Sequence, residues 1–369
     1  MSSRGSGRSI RASLLEGSAP FIGFFASAVV LVGIVLVMHE SPLKAFDAIY
    51  KFTLRNSTRI ASVLSVSIPY YLSGIAVAIA FKAGVFNIGV EGQYFMGSLT
   101  AALAGIYLPL PAWLHVPVVV LAGMLGGALW ALIPALMKTM RGIHEVITTI
   151  MFNNIAMALA SYLVNYPLSG LAQGVSLEPM TKHILPTATF GKLNAFFRSI
   201  GWNVPDHVYL DYSLIVAIVM GIALWFLISR TRQGFEIRAT GTSIDVARYA
   251  GIKVGRVQVT AFLLSGALAG LIGLQEVFAI RGFYTYSLAS GLGFDGIAIS
   301  LIGRNSPIGV AFSSILFGFL KQGGYGLQLY TKVPNSVTWA IQGLMILFIV
   351  IFNEALVRAA RALRRKEVK

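Results

Sequence analysis

The sequence contains no cysteine among its 369 residues. A chain without cysteine forms no disulfide framework, no thiolate metal site and no cysteine nucleophile. Histidine is also scarce: the five residues are His39, His115, His144, His183 and His207. They are scattered through the sequence without the spacing of metal ligands. The composition therefore gives no support to a zinc centre or to thiol chemistry.

The sequence also lacks the common motifs of catalysis. It contains no GxxxxGK[ST] motif, so the chain does not bind ATP through a phosphate-binding loop. It contains neither HExxH nor GxSxG, and no pattern pairs a nucleophile with a base. We therefore expect this chain not to be an enzyme.

Charged residues are few. They make up 12% of the chain, whereas hydrophobic residues make up 56%. Soluble domains contain about 25% charged residues, so this chain must use lipid as a solvent. The net charge of +15 would point to nucleic acid in a soluble protein. In a membrane protein, basic residues instead collect on the cytoplasmic side, and we expect no nucleic-acid partner.

Long apolar runs separated by polar connections predict an all-α integral membrane protein with about ten transmembrane segments. The predicted segments are 20–38, 60–81, 92–110, 116–137, 145–165, 211–229, 257–279, a short piece at 291–303, 306–330 and 335–353. We assign 1–19 to a cytoplasmic N-terminal segment, 20–357 to the transmembrane domain and 358–369 to a basic cytoplasmic tail.

Ten crossings place both termini on one side of the membrane. Lys and Arg are more numerous in the segments that this arrangement places with the termini, which favours cytoplasmic termini. Residues 166–210 then form an external segment, and 230–256 a basic, water-exposed cytoplasmic loop. Residues 39–59 are the exception, since four basic residues fall on the external side.

The stretch 81–97, FKAGVFNIGVEGQYFMG, is a poor candidate for an ordinary spanning helix. Each glycine costs about 1 kcal/mol in a helix interior relative to alanine. A carboxylate such as Glu91 is costly at membrane depth unless it meets water or a partner. One interpretation is a helix break beside a translocation path. The other is a short cytoplasmic turn with a solvated glutamate, and the residues alone leave both open.

A second interrupted segment, 291–309, stands at the corresponding place in the second half of the chain. Short segments broken by Gly or Pro in both halves are a pointer to a transport site. With five segments in each half, the second half would be inverted relative to the first. Chance similarity between Gly-rich apolar stretches is the alternative.

The polar residues predicted to lie within the membrane are mostly neutral. They are Asn87, Glu91, Gln93, Asn153, Asn154, Gln275, Glu276, Asp295 and Arg304. This set suits a polar, largely uncharged solute, which needs hydrogen bonds without a fixed counter-ion. The carboxylates leave an ion-driven carrier open. For Asn153 and Asn154, hydrogen bonding between helices is the alternative to a solute path.

Within 230–256, the sequence SIDVARYAG predicts a short helix. Ser243 can cap its start, Asp245 favours its first turn, and Gly251 can end it. Such an exposed helix between two spans is either a solvated connector or a docking helix for a cytoplasmic partner.

Three stretches resemble one known family. They are FKAGVFNIGVEGQ (81–93), FEIRATGTSIDVARYAGI (235–252) and GFDGIAISLIGRNSPIGV (293–310). Over about residues 60–355, the chain resembles permease subunits of ATP-binding-cassette (ABC) importers in the branched-chain amino acid/ribose transport superfamily. Within it, the chain looks like the nucleoside-type permeases that work with basic-membrane-protein-like lipoproteins. The resemblance implies import of nucleosides; a simple sugar such as ribose and an ion-gradient-driven carrier are the alternatives.

The resemblance also implies partners and a location in the bacterial cytoplasmic (inner) membrane. A second, homologous permease would form a heterodimer with this chain. A cytoplasmic subunit would bind ATP and Mg²⁺, while this chain would bind no cofactor. An extracytoplasmic solute-binding lipoprotein or periplasmic protein would deliver the solute to residues 166–210.

The family motifs supply the candidate site residues. The resemblance gives Glu236, Arg238, Gly241, Ala247 and Gly251 as coupling positions for the ATPase, to which we add Asp245 and Arg248. The predicted positions at the solute path or its hinge are Asn87, Gly89, Glu91, Gly92, Gln93, Asp295, Arg304 and Asn305, to which we add Asn153 and Asn154.

Overall fold

The computed structural model describes residues 22, 25–170, 178–288 and 291–334, and isolated positions between 336 and 355. The predicted N-terminal segment 1–19 and the tail 358–369 lie outside the described residues. The predicted segment 335–353 lies there in part, and its described positions from 336 onward are helical.

The described chain is helical, with three isolated β-bridges. The helices are α1 (Phe25–Val37), α2 (Pro42–Thr53), α3 (Ser57–Lys82), α4 (Val90–Tyr107), α5 (Ala112–Arg141), α6 (Glu145–Asn165), α7 (Asn194–Ser199), α8 (Tyr212–Arg230), α9 (Arg232–Thr242), α10 (Ile244–Tyr249), α11 (Val254–Ala269), α12 (Leu292–Ile302) and α13 (Pro307–Tyr330). A 3₁₀ turn occupies Pro186–Ala188, and a π-helical turn occupies Glu276–Arg281.

Four described helices, α3, α5, α6 and α8, are long and apolar enough to cross a membrane. Three shorter apolar helices accompany them, namely α1, α11 and α12. These elements confirm the prediction of an all-α membrane protein. The number of ten crossings and the inverted halves stay predictions.

Two compact units make up the chain, one from residues 1–59 and 319–369 and one from 60–318. In the first unit, Leu31, Val35, Ala45, Leu327 and Val333 form a buried apolar cluster. This cluster joins α1 and α2 to the end of α13, because each of these helices contributes one apolar stripe.

The second unit is built around α4, which is buried on nearly all sides. Small residues allow its backbone to approach those of α5 and α11. A Cβ added at Gly97 would collide with the Cα of Gly270, and one added at Gly127 would collide with the carbonyl oxygen of Gly266. The glycines of α5 therefore permit close packing against the neighbouring helices.

Of the predicted external segment 166–210, the structure describes residues 166–170 and 178–210. Its backbone is tied to the chain around 278–285, since Thr181 N–H donates to Tyr284 O at 2.9 Å and Phe190 N–H donates to Phe278 O at 3.0 Å. Asp211 caps α8 through Ser213 N–H at 2.8 Å. Because α8 separates them by about 28 Å of helix, this segment and α9–α10 lie at opposite ends of the unit.

The stretch 230–256 differs from the predicted loop because most of it is helical. The short helix is confirmed as α10: the Ser243 hydroxyl accepts from Val246 N–H at 3.4 Å, and Gly251 follows its end with φ +77°. Helix α9, which starts directly after α8, was not predicted from the sequence. Thr231 caps α9 by accepting from Gly234 N–H at 3.0 Å, a signal that the glycines in this stretch obscured.

Candidate functional site

The chain breaks its helical path at residues 83–89, between α3 and α4. Gly84 has φ +69°, a left-handed conformation that favours glycine and turns the chain away from the axis of α3. The freed backbone groups need partners, because broken backbone is tolerated in a membrane only where protein or water pairs it. Asn87 within the break, and Asn153 and Glu145 of α6, supply those partners.

Asn87 is the centre of the first group of contacts. Its amide nitrogen donates to Gln93 Oε1 at 2.9 Å and to Ser265 Oγ at 2.8 Å. Its amide oxygen accepts from Gly89 N–H at 3.0 Å and from Gln93 Nε2 at 3.1 Å. The Ser265 hydroxyl in turn donates to Ala76 O at 2.5 Å. The break is thereby tied to α3, α4 and α11.

Asn153 of α6 holds the start of α4 from the other side. Its amide oxygen accepts from Gly92 N–H at 2.8 Å, and its amide nitrogen donates to Ile88 O at 3.0 Å. A Cβ at Gly92 would lie 3.0 Å from the Cα of Asn153, so glycine is what permits this approach. The predicted interhelical role of Asn153 therefore has a geometric basis.

Glu91 joins the two interrupted segments. Its two carboxylate oxygens accept from Gly291 N–H and from Gly293 N–H, each at 2.7 Å. These N–H groups belong to the start of α12, whose positive end of the helix dipole favours a carboxylate. Ser73 of α3 adds a bond to Leu292 O at 2.7 Å.

Glu91 is only 2% exposed. The interpretation of a short turn with a solvated glutamate is therefore wrong. A helix break is what the structure contains at this stretch.

The structure brings together one group of predicted residues, namely Asn87, Gly89, Glu91, Gly92, Gln93 and Asn153. Their polar groups are largely taken by partners within the chain. This arrangement suits a hinge that holds helix ends in place. Their role in the path of a solute stays a prediction.

The other predicted path residues are Asn154, Asp295, Arg304 and Asn305. Asn154 is exposed on α6, where its amide reaches only Ile150 O at 3.4 Å. Asp295 is half-buried on α12. Arg304 and Asn305 form the turn after α12 with φ of +53° and +54°, and Asn305 Oδ1 accepts from the Ser300 hydroxyl at 2.7 Å.

Gln275 and Glu276 belong to a different place, near the segment before α8. Gln275 donates to Tyr209 O at 2.9 Å and to Asp211 Oδ2 at 3.2 Å. Glu276 accepts from Arg281 Nε at 2.6 Å. These polar residues stabilise the end of the 60–318 unit that lies opposite to α9–α10.

Sequence reasoning missed Ser73, Ser265 and Glu145. Glu145 Oε1 accepts from Phe86 N–H at 3.3 Å, and Glu145 Oε2 lies 2.5 Å from Lys138 Nζ. The serines stand as single polar residues in apolar runs, a weak signal without a known partner. Glu145 stands at the start of α6, where a first-turn carboxylate already has an ordinary explanation.

The predicted coupling residues lie on α9 and α10 or directly after them. Asp245, Arg248 and Gly251 are exposed, Glu236 pairs with Arg232 at 3.0 Å, and Ala247 is buried. The neighbouring Tyr249 is 93% exposed. A helix that presents an aromatic ring and charges to water is suited to dock on another protein.

Gly241, at the end of α9, touches the break. A Cβ at Gly84 would lie 3.2 Å from the Cα of Gly241, and a Cβ at Gly241 would collide with the carbonyl oxygen of Lys82. Backbone therefore meets backbone between the α9–α10 segment and the break. Arg238 lies on the same helix, and its buried Nη1 atom has no hydrogen-bond partner among the described residues.

An apolar groove of about 580 Å³ lies between α3, α8 and α13. Its wall is formed by side chains such as Ile68, Leu214, Ile218 and Ile308. A polar solute would find few hydrogen-bond partners there. Within the described residues, no group of three or more His, Asp or Glu could hold a metal ion.

Comparison with known proteins identifies the family. Residues 59–350 match the family described as branched-chain amino acid transport system / permease component. The chain belongs to this permease family. It is therefore an integral membrane protein, and the resemblance of its three motif stretches is confirmed.

Two relatives of this permease carry names of nucleoside transporters. The guanosine ABC transporter permease protein NupP of Bacillus subtilis is 32% identical over 90% of this chain and 91% of its own length. The nucleoside ABC transporter permease protein NupB of Lactococcus lactis is 30% identical over 94% and 93%. The glucose ABC transporter permease protein TsgB13 of Haloferax volcanii is 33% identical over 88% and 84%. No solved structure matches the permease.

We expect Glu91→Gln to lower the melting temperature of the purified permease. Gln keeps one acceptor but loses the second hydrogen bond and the charge at the start of α12, at a cost of about 1–3 kcal/mol. Thermal unfolding in detergent measures the effect.

Asp47→Asn is the matched control for Glu91→Gln. It removes the same charge from an exposed i,i+4 pair with Lys51, and such pairs contribute about 0–1 kcal/mol. Equal melting temperatures of the two variants would contradict a structural role for the Glu91 carboxylate.

Proposed function

We propose that the chain is the permease subunit of an ABC importer that moves nucleosides across the bacterial cytoplasmic membrane. Two relatives named for guanosine and nucleoside transport cover at least 90% of both chains, and this observation carries the proposal.

A simple sugar is the second candidate solute. The relative from Haloferax volcanii, named for glucose, is as similar to this chain as the nucleoside permeases are. Nucleosides and sugars share hydroxyl groups that need similar hydrogen bonds. The class of importer is therefore the firmer part of the proposal, and the choice of solute depends on experiment.

We propose the partners that such an importer requires. A second permease would pair with this chain, as Bacillus subtilis has both NupP and a second guanosine permease protein, NupQ, 28% identical to this chain. A cytoplasmic subunit would hydrolyse ATP with Mg²⁺, and an extracytoplasmic binding protein would deliver the solute. This chain itself would hold no cofactor.

In the proposed arrangement, the chain crosses the membrane ten times in two inverted halves, with both termini in the cytoplasm. The segment before α8 would face the binding protein. The segment α9–α10 would face the ATPase, because it lies at the opposite end of α8. Residues 20–357, which include both of these segments, would form the transmembrane domain.

The proposed mechanism connects three contacts. Closure of the ATPase moves α10, the Gly84–Gly241 contact passes this motion to the break, and the Glu91 carboxylate passes it to α12. The interrupted segments can then change their tilt without exposing backbone groups to lipid. Coupling requires that the contacts at α10 and those at α12 favour the same one of two conformations of the permease.

The solute is tested in liposomes that contain this chain, its partner permease, the ATPase and the binding protein. We expect nucleosides to stimulate ATP hydrolysis and to accumulate inside. Stimulation by glucose or ribose alone would retain the importer and exclude nucleosides. Uptake that needs an ion gradient but no ATPase would exclude the whole class.

We expect Tyr249→Ala to weaken retention of the ATPase by about tenfold, since an exposed aromatic anchor contributes about 1.4 kcal/mol or more to an interface. Co-purification and a dissociation constant in detergent measure this effect. Tyr166→Ala is the control. Tyr166 is also exposed, at 71%, but it caps the C-terminal end of α6 and is not part of α10. Equal retention in the two variants would contradict docking through α10.

We expect Gly241→Ala to lower nucleoside uptake per ATP hydrolysed, since the added methyl group must push Lys82 and the break apart. Gly33→Ala is the control, because nothing lies within 4 Å of a Cβ at that position in α1. Uptake and hydrolysis are measured in the same liposomes. Unchanged coupling in Gly241→Ala would exclude this contact from the mechanism.

A further inference from the structure

A polar pocket of about 670 Å³ lies beside α10, where α5 ends and where α6 and α11 begin. Its wall includes Lys138, Glu145, Arg248, Lys253 and Gln258. Of these, only Arg248 belongs to the predicted coupling positions. The pocket is separate from the hinge formed by Asn87 and its partners.

The charges that face the pocket are mainly positive. Its carboxylate, Glu145, is already neutralised by Lys138 Nζ at 2.5 Å and accepts from Phe86 N–H at 3.3 Å. Arg248 and Lys253 are exposed, and neither forms an ion pair with another described residue. The two cations are therefore free to attract an anion into the pocket.

Gln258 gives a second indication of a ligand. Its side chain is 7% exposed and forms part of the pocket wall. Within the part of the chain that the structure describes, its amide has no hydrogen-bond partner. Because the side chain lines the pocket, its amide can pair with water or with a ligand that enters there.

The start of α11 contributes backbone donors. No side chain caps this 16-residue helix, so its first-turn N–H groups have no side-chain acceptor. Gly255, in this first turn, also lines the pocket, and nothing lies within 4 Å of a Cβ built there. An open helix start is a favourable environment for a phosphate group.

We propose that this pocket binds a phosphate group through Arg248, Lys253, Gln258 and the first turn of α11. A phosphate has more acceptor oxygens than a carboxylate, which suits a pocket that offers two cations, an amide and backbone donors. The group could come from a soluble phosphate compound or from an anionic lipid headgroup, because the pocket lies where membrane helices end.

The site would act on the coupling segment. A bound phosphate would contact Arg248 of α10 on one side and lie near the Lys138–Glu145 pair, which holds Phe86 of the break, on the other. Its occupancy would thus stiffen the connection between α10 and the break. The proposal does not depend on which solute the importer carries.

The test is a binding titration of the purified full-length chain in detergent, by calorimetry. One arm uses inorganic phosphate and the other uses short-chain phosphatidic acid, with phosphatidylcholine as the neutral lipid. We expect Lys253→Gln and Gln258→Leu each to weaken binding by about tenfold, through loss of one charge-assisted or amide hydrogen bond. Thermal unfolding without ligand verifies that each variant is folded.

Arg230→Gln is the matched control, since Arg230 is exposed at the end of α8 and does not line the pocket. We expect it to change the affinity by no more than about twofold. Tight binding of inorganic phosphate would identify a soluble source, and binding of phosphatidic acid alone would identify a lipid headgroup.

Two results would overturn the proposal. One is no binding of either probe to the unmodified chain at concentrations up to about 10 mM. The other is an equal loss of affinity in Arg230→Gln and Lys253→Gln, which would indicate diffuse surface charge in place of a site.

Discussion

The carboxylate of Glu91 supports the organisation of the 60–318 unit. It bonds two N–H groups at the start of α12, 200 and 202 residues away in the sequence. Removal of a carboxylate from water is costly, and backbone N–H groups at a helix start are among the few partners that offset this cost without a second charge. The break after α3, the start of α4 and the start of α12 therefore have to be formed together. Neither interrupted segment would be tolerated in lipid alone.

The side-chain amides near Glu91 also stabilise the break. Asn87 and Asn153 pair backbone groups that the break and the start of α4 leave without helical partners. Each amide offers both a donor and an acceptor, so it can pair with an orphan N–H and an orphan carbonyl at once. This explains why a chain with so few charged residues places neutral amides at this point. It also means that the break is a defined structure with its own bonds.

Much of the helical pattern could be predicted from hydrophobicity. The predicted span 145–165 coincides with α6, and Ser243 caps α10 as its position indicated. The difficult cases were α4 and α9. The first turn of α4 contains Glu91 and Gln93, and only tertiary burial makes that turn stable. Helix α9 is polar and contains two glycines, so local propensity disfavoured it although Thr231 caps it.

The partners of the site residues could not be predicted in the same way. A sequence can mark Glu91 as costly at membrane depth, but it does not reveal which backbone groups approach it from the other half of the chain. Ser73 and Ser265 illustrate this limit, because a single serine in an apolar run has many harmless explanations. Glycines indicated the interrupted stretch 81–97 in the sequence, but they did not reveal which backbones α4 and α5 approach.

The meeting of Gly84 and Gly241 has a consequence for how the chain can vary. A methyl group on Gly241 would collide with the backbone of residues 82–84, and one on Gly84 would lie 3.2 Å from the Cα of Gly241. The two positions therefore form a single steric constraint, although they lie on opposite sides of four long helices in the sequence. A larger residue at Gly241 becomes tolerable only if the backbone at 82–84 moves away, and one at Gly84 is strained in addition by its φ of +69°. Mutational tolerance should accordingly be shared between the two positions, and neither can drift independently.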